Sequence, residues 1–483
     1  WTPRRPPRST QGVSSAASDV YKRQVYTSDY LRSTIAWLGH YGASVILMSA
    51  TLPPHKRKEL VEAYSWGNMP EGEQGFPLIT VATAEEIHAT SVEPSPTNLV
   101  GDIQILDEEE GPLSVLLDEL LDEGGCALVI CNTIGRAQAT YSRLAEMYGE
   151  CVELHHAGFV AWERVEKEDS LRKELGPDSH RGAGRPWRKI VVATQVAEQS
   201  LDIDADVLIT DIAPIDLLIQ RIGRLHRHAR PETDRPRRLR DPKIFIRGVL
   251  QKDPVPEFDS GAEAIYGRAI LMSTLAVLPE EFRRPDDTAK LVAEAYNPDF
   301  KPPAPWLEAW TEVEDERRHG EATAHSKSAD YRLPDPRHGL QFKALFERLV
   351  DDSERSDGEG GAAQVRDIEP SVEVIPIIAT DYGYRPWGWD SEVLDGGEVS
   401  YELAFHLASS TVRLPGRMTR HGTDFDAVVS QLEESTPGEW VDHYLLRGQL
   451  ALVLNENNEA TVGRFEIRYS SELGIEIMSD GRG

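Results

Sequence analysis

The sequence predicts an α/β protein in which a mainly parallel sheet carries helices on both faces, followed by a smaller α+β or β-rich region. Three observations lead there. Short apolar runs recur between Ile103 and Thr210, separated by stretches of helical periodicity. Several runs end abruptly in small polar residues, as at Ser49-Ala50-Thr51 and Asn132-Thr133, which is how buried parallel strands present polar groups at a carboxyl edge. The chain has 483 residues with 40% hydrophobic content, enough for roughly two to four packed units.

Taken in order, residues 1–24 are rich in Pro, Arg and Ser, lack apolar periodicity, and are read as a non-native or disordered leader. Tyr30 to Tyr41 has helical periodicity. Ala43 to Met48 (ASVILM) reads as a buried strand, His55 to Tyr64 as a helix, and Pro77 to Val81 as a strand. Glu93 to Asn98 (EPSPTN) breaks the pattern. Beyond it come a strand at Ile103–Leu106, a helix at Leu113–Leu121 and a strand at Ala127–Cys131. Asn132-Thr133 then caps a helix from Arg136 to Tyr148. Strands follow at Val152–Leu154, Ile190–Ala193 and Val207–Thr210, with a helix from about Ile215. Strand, helix, strand with connections of this length implies a mainly parallel sheet with helices on both faces, and one such lobe fits residues 98–250. Residues 25–97 read as the end of an earlier lobe. Residues 251–370 form a helical connector, with a helix at Gly261–Leu278, mixed Pro, Trp and charge from Asp299 to Leu333, and an acidic mobile loop at Asp351–Gly361. Residues 371–483, with runs at Val372–Ile378, Gln449–Leu454 and Val462–Tyr469, form a small accessory domain.

Composition bounds the function. The 3 cysteines cannot build a disulfide framework, and no stretch approaches the roughly 20 apolar residues that span a bilayer; a soluble, reducing-compartment protein is expected. The 52 Lys and Arg against 81 Asp and Glu, a net charge of -29, argue against nucleic acid when averaged. The average hides a local excess: Arg221 to Arg247 holds 10 basic residues against 3 acidic ones. Binding confined to one cleft is compatible with that distribution. Within it, Arg221, Arg224 and Arg227 are spaced for one helical face or turn, where three guanidiniums repel unless an anion such as a polyphosphate neutralises them.

These segments resemble superfamily 2 helicases. Ser49-Ala50-Thr51 matches the S-A-T motif, Thr194 to Asp202 the fifth motif, and Gln220 to Arg227 the Q-R-x-G-R-x-x-R sixth motif. More narrowly, VILMSATLP, VICNTIGRAQ, ELHHAGF, VVATQVAEQSLDID and ITDIAPIDLLIQRIGRLHRH resemble the helicase part of the CRISPR-associated helicase-nuclease of type I systems. Ser409 to Pro415 and Leu446 to Leu454 resemble that family's C-terminal domain. The resemblance implies a RecA-like lobe two, the end of lobe one, and an ATP-driven translocase on single-stranded DNA in antiviral defence. It further implies ATP with Mg2+ as cofactor, the CRISPR RNA-guided surveillance complex as partner, no membrane, and a prokaryotic cytoplasm. By resemblance, Arg224 and Arg227 would reach the γ-phosphate, Gln220 would orient the attacking water or a neighbouring arginine, and Asp202 would contact the nucleotide. Thr194 would hydrogen-bond a phosphate of the tracked strand, with Thr133 and Arg136 as further candidates. Ser49, Ala50 and Thr51 would relay closure between lobes. Considered singly, Thr194 and Asp202 read as helix caps; only the combined pattern points to the family roles.

Two family features are expected elsewhere than in these residues. No lysine follows a glycine, so the Gly-Lys-Thr/Ser phosphate loop is not here, and no upstream strand carries the magnesium-binding acidic motif. No histidine precedes an aspartate, so the paired His-Asp metal nuclease is not here either. Asp315-Glu316-Arg317-Arg318-His319 reads as a solvated helix. His155-His156 sits at a strand end, where local packing and a DNA contact are both open. Cys126 and Cys131 fall on opposite strand faces, so no metal site is assigned. The expectation is a carboxyl-terminal portion of a larger enzyme that alone binds nucleotide weakly and hydrolyses none. Another superfamily 2 DNA or RNA motor, or a scaffold using a degenerate lobe, are the alternatives.

Overall fold

The computed structural model describes residues 19–65, 75–94, 99–107, 113–199, 201–329, 332–336, 371–420 and 422–481. The acidic run at Asp351–Gly361 and most of the Pro-rich break lie outside them.

The helix α1 (Asp19–His40) starts inside the region read as leader and continues through the Tyr30–Tyr41 periodicity. It packs on α2 (Pro54–Tyr64) through Ile35, Ala36 and Ala63, with a proline in the first turn of α2 supplying a preset φ. Between them the expected strand at Ala43–Met48 does not form. Its residues join no ladder, and Ile46 and Met48 are 87% and 92% exposed. An apolar run becomes a strand only when a neighbouring strand takes its N–H and C=O groups; here Ala43 N donates to the Leu38 carbonyl and the Ala43 carbonyl accepts from Tyr64 Oη, neither of them in a strand. The strand at Pro77–Val81 is β1 (Leu78–Ala82), which forms an antiparallel hairpin with β2 (Ile87–Ser91).

The central sheet follows the expected alternation: β3 (Leu99–Ile105), α3 (Leu113–Leu120), β4 (Gly125–Ile130), α4 (Ile134–Tyr148), β5 (Val152–His155), α5 (Ala161–Leu175), β6 (Arg188–Ala193), α6 (Val196–Gln199), β7 (Val207–Asp211), α7 (Ile215–Ile222) and β8 (Lys243–Arg247). Periodicity did not mark α5, because charged residues dominate it and only Glu163, Leu171 and Leu175 are buried. The strand order is β9-β3-β8-β7-β4-β6-β5, where β9 (Glu281–Arg284) comes from beyond the residue-250 boundary and pairs antiparallel with β3. The pairs β8/β3, β8/β7 and β5/β6 are parallel. β4 and β7 are buried throughout, so both read as apolar runs rather than alternating ones.

The described chain divides within β4 into two units, residues 129–203 with those from 371 onward, and residues 19–128 with 204–336. In the second unit the single helix expected at Gly261–Leu278 is two: α8 (Ser260–Tyr266) and α9 (Arg268–Val277). They are split at Gly267, whose φ of 82° is left-handed and closes the first helix. The connector holds α10 (Asp286–Ala295) and the long helix α11 (Leu307–Ala329), which extends well beyond the short solvated helix expected at Asp315–His319. Asp315, Glu316, Arg318 and His319 lie exposed along it, as a solvated helix requires. Asp29 of α1 is 3% exposed and accepts from Ser328, and its Oδ2 lies 2.6 Å from His325 Nδ1, which clamps α1 to α11.

In the first unit the carboxyl-terminal residues build β10 (Glu373–Ala379), β11 (Gly383–Pro386), β12 (Val393–Leu394), α12 (Tyr401–Ser409), β13 (Val412–Arg413), α13 (Gly422–Ser435) and β14 (Leu450–Leu454). The three-stranded sheet β15 (Glu459–Val462), β16 (Phe465–Ser470) and β17 (Gly474–Ser479) follows. Helices α12 and α13 make this domain less purely β than its short alternating runs suggested. Along β10, Val374 enters one apolar cluster while Ile375 and Ile377 enter another; Leu452 and Ala451 of β14, parallel to β10, divide the same way. No helix among the described residues is long and apolar enough to cross a membrane.

Candidate nucleotide and nucleic-acid site

In the second unit, β7 delivers the chain to Ala213-Pro214 and α7, whose buried face is Ile215, Leu218, Ile219 and Ile222. Arg221 belongs to that buried face and is 0% exposed. Its Nη1 donates to Thr210 Oγ1 at 2.8 Å and to the Asp211 carbonyl at 2.9 Å, and its Nη2 to Tyr266 Oη at 3.3 Å. The expected trio of anion-facing arginines is therefore corrected. Arg221 is a structural residue joining α7, β7 and α8, and the helix ends at Ile222, so Arg224 and Arg227 stand in the following turn rather than on a shared helical face.

That turn is held by the start of β7. Ala205 N donates to the Arg224 carbonyl at 2.9 Å and His226 N donates to the Ala205 carbonyl at 3.1 Å. His226 adopts a φ of 47°, and burial, reinforced by Arg235, pushes its pKa down to about 4, so it is neutral near pH 7. The Arg227 N–H donates to Asp204 Oδ1 at 2.8 Å and its side chain lies outward.

Asp204 and Asp206 are both 0% exposed. Arg235 bridges them, with Nη2 to Asp204 Oδ2 at 2.9 Å and Nη1 to Asp206 Oδ1 at 2.5 Å, while Arg230 also pairs with Asp204. Arg238 pairs with Glu119 and Asp122, and Arg240 with Glu232. Much of the basic excess is thus spent inside the unit, which narrows any anion-binding role to few side chains. The buried acids were missed in the sequence, although acids at every second position in Asp202-Ile203-Asp204-Ala205-Asp206, directly before an apolar strand, were the signal: an inward-facing carboxylate needs a cation.

Ser49 and Ala50 are exposed, Thr51 is half-buried, and Thr51 N donates to Ser49 Oγ at 3.3 Å. Gln220 Nε2 lies 3.5 Å from Thr51 Oγ1, which brings together two segments 169 residues apart. Ser49, Ala50, Thr51, Tyr64, Pro285 and Lys290 are among the residues that line a cavity of about 1390 Å³.

In the first unit the polar ends of β4 and β6 meet. Cys131 N donates to the Ala193 carbonyl at 2.8 Å and Gln195 Nε2 donates to the Asn132 carbonyl at 2.8 Å. Thr133 Oγ1 caps α4 by accepting from Arg136 N at 3.2 Å. Thr194 lies in the same cluster, 3% exposed, with its carbonyl accepting from Ala197 N at 3.1 Å to open α6. Thr133, Arg136 and Thr194 therefore share one sheet edge, with Thr194 contributing its carbonyl to the turn into α6. Asp202 is half-buried beyond α6. His155 Nε2 lies 2.9 Å from Glu153 Oε1, a local contact, whereas His156 stacks on Phe159 with centroids 4.5 Å apart and also places its Nε2 3.1 Å from the Leu473 carbonyl, 317 residues away. Cys126 and Cys131 are buried, and among the described residues no group of three or more His, Cys, Asp or Glu could hold a metal.

Residues 123–230 match the family model described as CRISPR-associated nuclease/helicase Cas3, C-terminal, and residues 366–475 match the Cas3 C-terminal domain. The CRISPR-associated nuclease/helicase Cas3 of Streptococcus thermophilus is 33% identical over 95% of this chain and 50% of its own length. A solved CRISPR-associated protein superposes with a TM-score of 0.81 at 30% identity, over 95% of this chain and 50% of that one. Two further structures share the fold at 22% identity. T. fusca Cas3 with AMPPNP (TM-score 0.75) covers 94% of this chain and 52% of its own. A chain of a CRISPR RNA-guided surveillance complex in a pre-nicking state (TM-score 0.69) covers 95% and 56%. The chain spans about half the length of the relatives it matches.

Proposed function

The chain belongs to the helicase and carboxyl-terminal portion of the CRISPR-associated Cas3 family, and on that premise we propose that it supplies the second motor lobe and accessory domain of an ATP-dependent single-stranded DNA translocase in CRISPR interference. In this reading Arg224 and Arg227 meet the γ-phosphate of a nucleotide whose triphosphate is cradled by a loop outside this sequence. Arginines so placed offset the charge that builds in phosphoryl transfer. Gln220 orients the attacking water or a neighbouring arginine, and Asp202 contacts the nucleotide. Thr133, Arg136 and Thr194 mark the sheet edge along which the DNA backbone runs, the strand being held through phosphates and so without sequence preference. The CRISPR RNA-guided surveillance complex is the partner, and the prokaryotic cytoplasm the setting.

The observation that carries this reading is the approach of Gln220 to Thr51. A residue of the sixth motif and one of the S-A-T segment lie 3.5 Å apart, which supports a coupling in which a change at the phosphate end of α7 would reach Ser49-Ala50-Thr51. The described residues hold no ligand set that fits Mg2+, and no step is routed through it.

ATP turnover stimulated by single-stranded DNA tests the proposal. The longer protein is expected to turn over ATP and this chain alone to hydrolyse none, since no Gly-Lys pair occurs in it. Robust turnover by the 483 residues alone would overturn the division of labour. An Arg224→Ala change that leaves turnover of the longer protein intact would favour a scaffold built on a degenerate lobe. Stimulation by RNA but not DNA would favour a different superfamily 2 motor.

A further inference from the structure

Arg284 ends β9, and its register opposite Leu99 of β3 fixes its place at the sheet edge. Pro285 follows and opens α10. The far end of α10 is tied to α7 by Tyr296 Oη, which donates to Asp216 Oδ1 at 2.6 Å. One packed unit thus carries both Arg284 and the turn holding Arg224 and Arg227.

The other arginines withdrawn from water around this turn have acceptors: Arg221 has Thr210, the Asp211 carbonyl and Tyr266; Arg230 and Arg235 have Asp204. Arg283, next in sequence, reaches Glu281. Arg284 differs. It is half-buried, and its Nε is enclosed with no hydrogen-bond partner among the described residues. Burial first, and the charge of Arg227 second, hold its guanidinium below the ordinary arginine value. Two cations brought together while one is partly desolvated raise the free energy of the unit unless an anion sits between or beside them.

We propose that Arg284 and Arg227 form a phosphate-binding pair, in which the forked guanidinium of Arg284 supplies a contact beyond those of the sixth motif. A planar fork matches the paired oxygens of a phosphate. The phosphate is either the terminal group of a nucleotide or a link of the nucleic-acid backbone. Only this choice of source rests on the motor reading; the pair itself rests on the enclosed Nε and its cationic neighbour.

The test titrates the full chain with inorganic phosphate against chloride at matched ionic strength, following the thermal unfolding midpoint. The wild type is expected to be stabilised, with Arg284→Gln and Arg227→Gln each weakening phosphate about tenfold, the order expected for one lost charge-assisted hydrogen bond. Arg284→Lys, which keeps the charge and loses the fork, should fall between; it also serves if the glutamine variant does not fold. Equal phosphate response in wild type and both Arg284 variants overturns the proposal, as does a wild type that phosphate does not stabilise. In the longer protein, a raised KM for ATP in Arg284→Gln with unchanged oligothymidylate binding assigns the phosphate to nucleotide, and the reverse pattern assigns it to the backbone. Loss of neither means an adventitious ion only, and overturns the proposal. If the wild-type longer protein shows no ATP turnover, the motor reading fails while the titration of this chain still decides the pair.

Discussion

Tyr469 of β16 donates its phenolic hydrogen to Glu163 of α5 at 2.6 Å, although 306 residues of chain separate them. Glu163 also accepts from Trp387 Nε1 at 2.9 Å, and the Tyr469 oxygen accepts from Val160 N at 2.8 Å. A buried carboxylate is thus satisfied by two aromatic donors from the accessory domain, and burial followed by the Glu163 charge pushes the Tyr469 hydroxyl far above its ordinary pKa. Close by, Gly474, at a φ of 68°, lets its backbone approach Gly158, where an added Cβ would come within 2.4 Å of the Gly158 carbonyl oxygen. Removing the Tyr469 hydroxyl leaves both Glu163 and the Val160 N–H short of a partner. Tyr469→Phe is expected to cost about 1.5–3 kcal/mol, the range for hydrogen bonds to charged groups, read by urea unfolding followed through tryptophan fluorescence. A cost below about 0.5 kcal/mol would mean the contact is dispensable.

The arginines of the sixth motif should separate by what they damage. Arg221→Met leaves Thr210, the Asp211 carbonyl and Tyr266 without their shared donor, so stability should fall by at least about 2 kcal/mol. Arg224→Ala in the longer protein should lose stability less and turnover more, by roughly 10³-fold or above if it meets the γ-phosphate. Parallel thermal melts and ATPase rates decide this; the opposite ranking would exchange the two roles.

Acid should weaken the first unit through Glu153. Burial alone would raise its pKa, but hydrogen bonds and charges from His155 and Lys189 outweigh burial and lower it to about 2, against an ordinary 4.5. A carboxylate depressed in the folded state contributes stability that is present above its unfolded pKa and lost as pH falls through the folded one. The difference in unfolding midpoint between wild type and Glu153→Gln should therefore be constant above about pH 5 and shrink steadily toward pH 2. A difference that does not change over that window would refute the assignment.

The segment before the S-A-T motif should behave as an unpaired strand. Ile46 and Met48 are almost wholly exposed and their backbone joins no ladder, a state that favours association. This chain alone should self-associate, and Ile46→Asp with Met48→Asp should reduce that association by light scattering. In the longer protein, amide exchange at Val45 to Met48 should slow by orders of magnitude, since a covered strand opens only with its sheet. Equally fast exchange in both would sink the idea.

Much of the fold was legible because its signals are local. β4, β6 and β7 are apolar runs that end in polar residues, and α4 carries its own cap in Thr133. Ala43–Met48 has the same local character, yet its partner strand is absent from the described residues, and pairing is what makes a strand. α5 was obscured for the opposite reason, since a long charged face dilutes the apolar period although a few buried residues suffice to dock the helix; of α11 only Asp315–His319 was legible, for the same reason.

For the site, the order and spacing of residues by themselves determined the motif series Ser49-Ala50-Thr51, Thr194 to Asp202 and Gln220 to Arg227. These are short-range patterns set by strand ends and turns. Which arginine faces what was decided only by tertiary structure. Arg221, Arg224, Arg227 and Arg284 carry identical chemistry, and the sequence cannot rank them. Burial places one against Thr210 and Tyr266, and leaves another beside a like charge with an unshared Nε. A cation's role is fixed by the acceptors and the water that surround it, and those come from segments tens to hundreds of residues away.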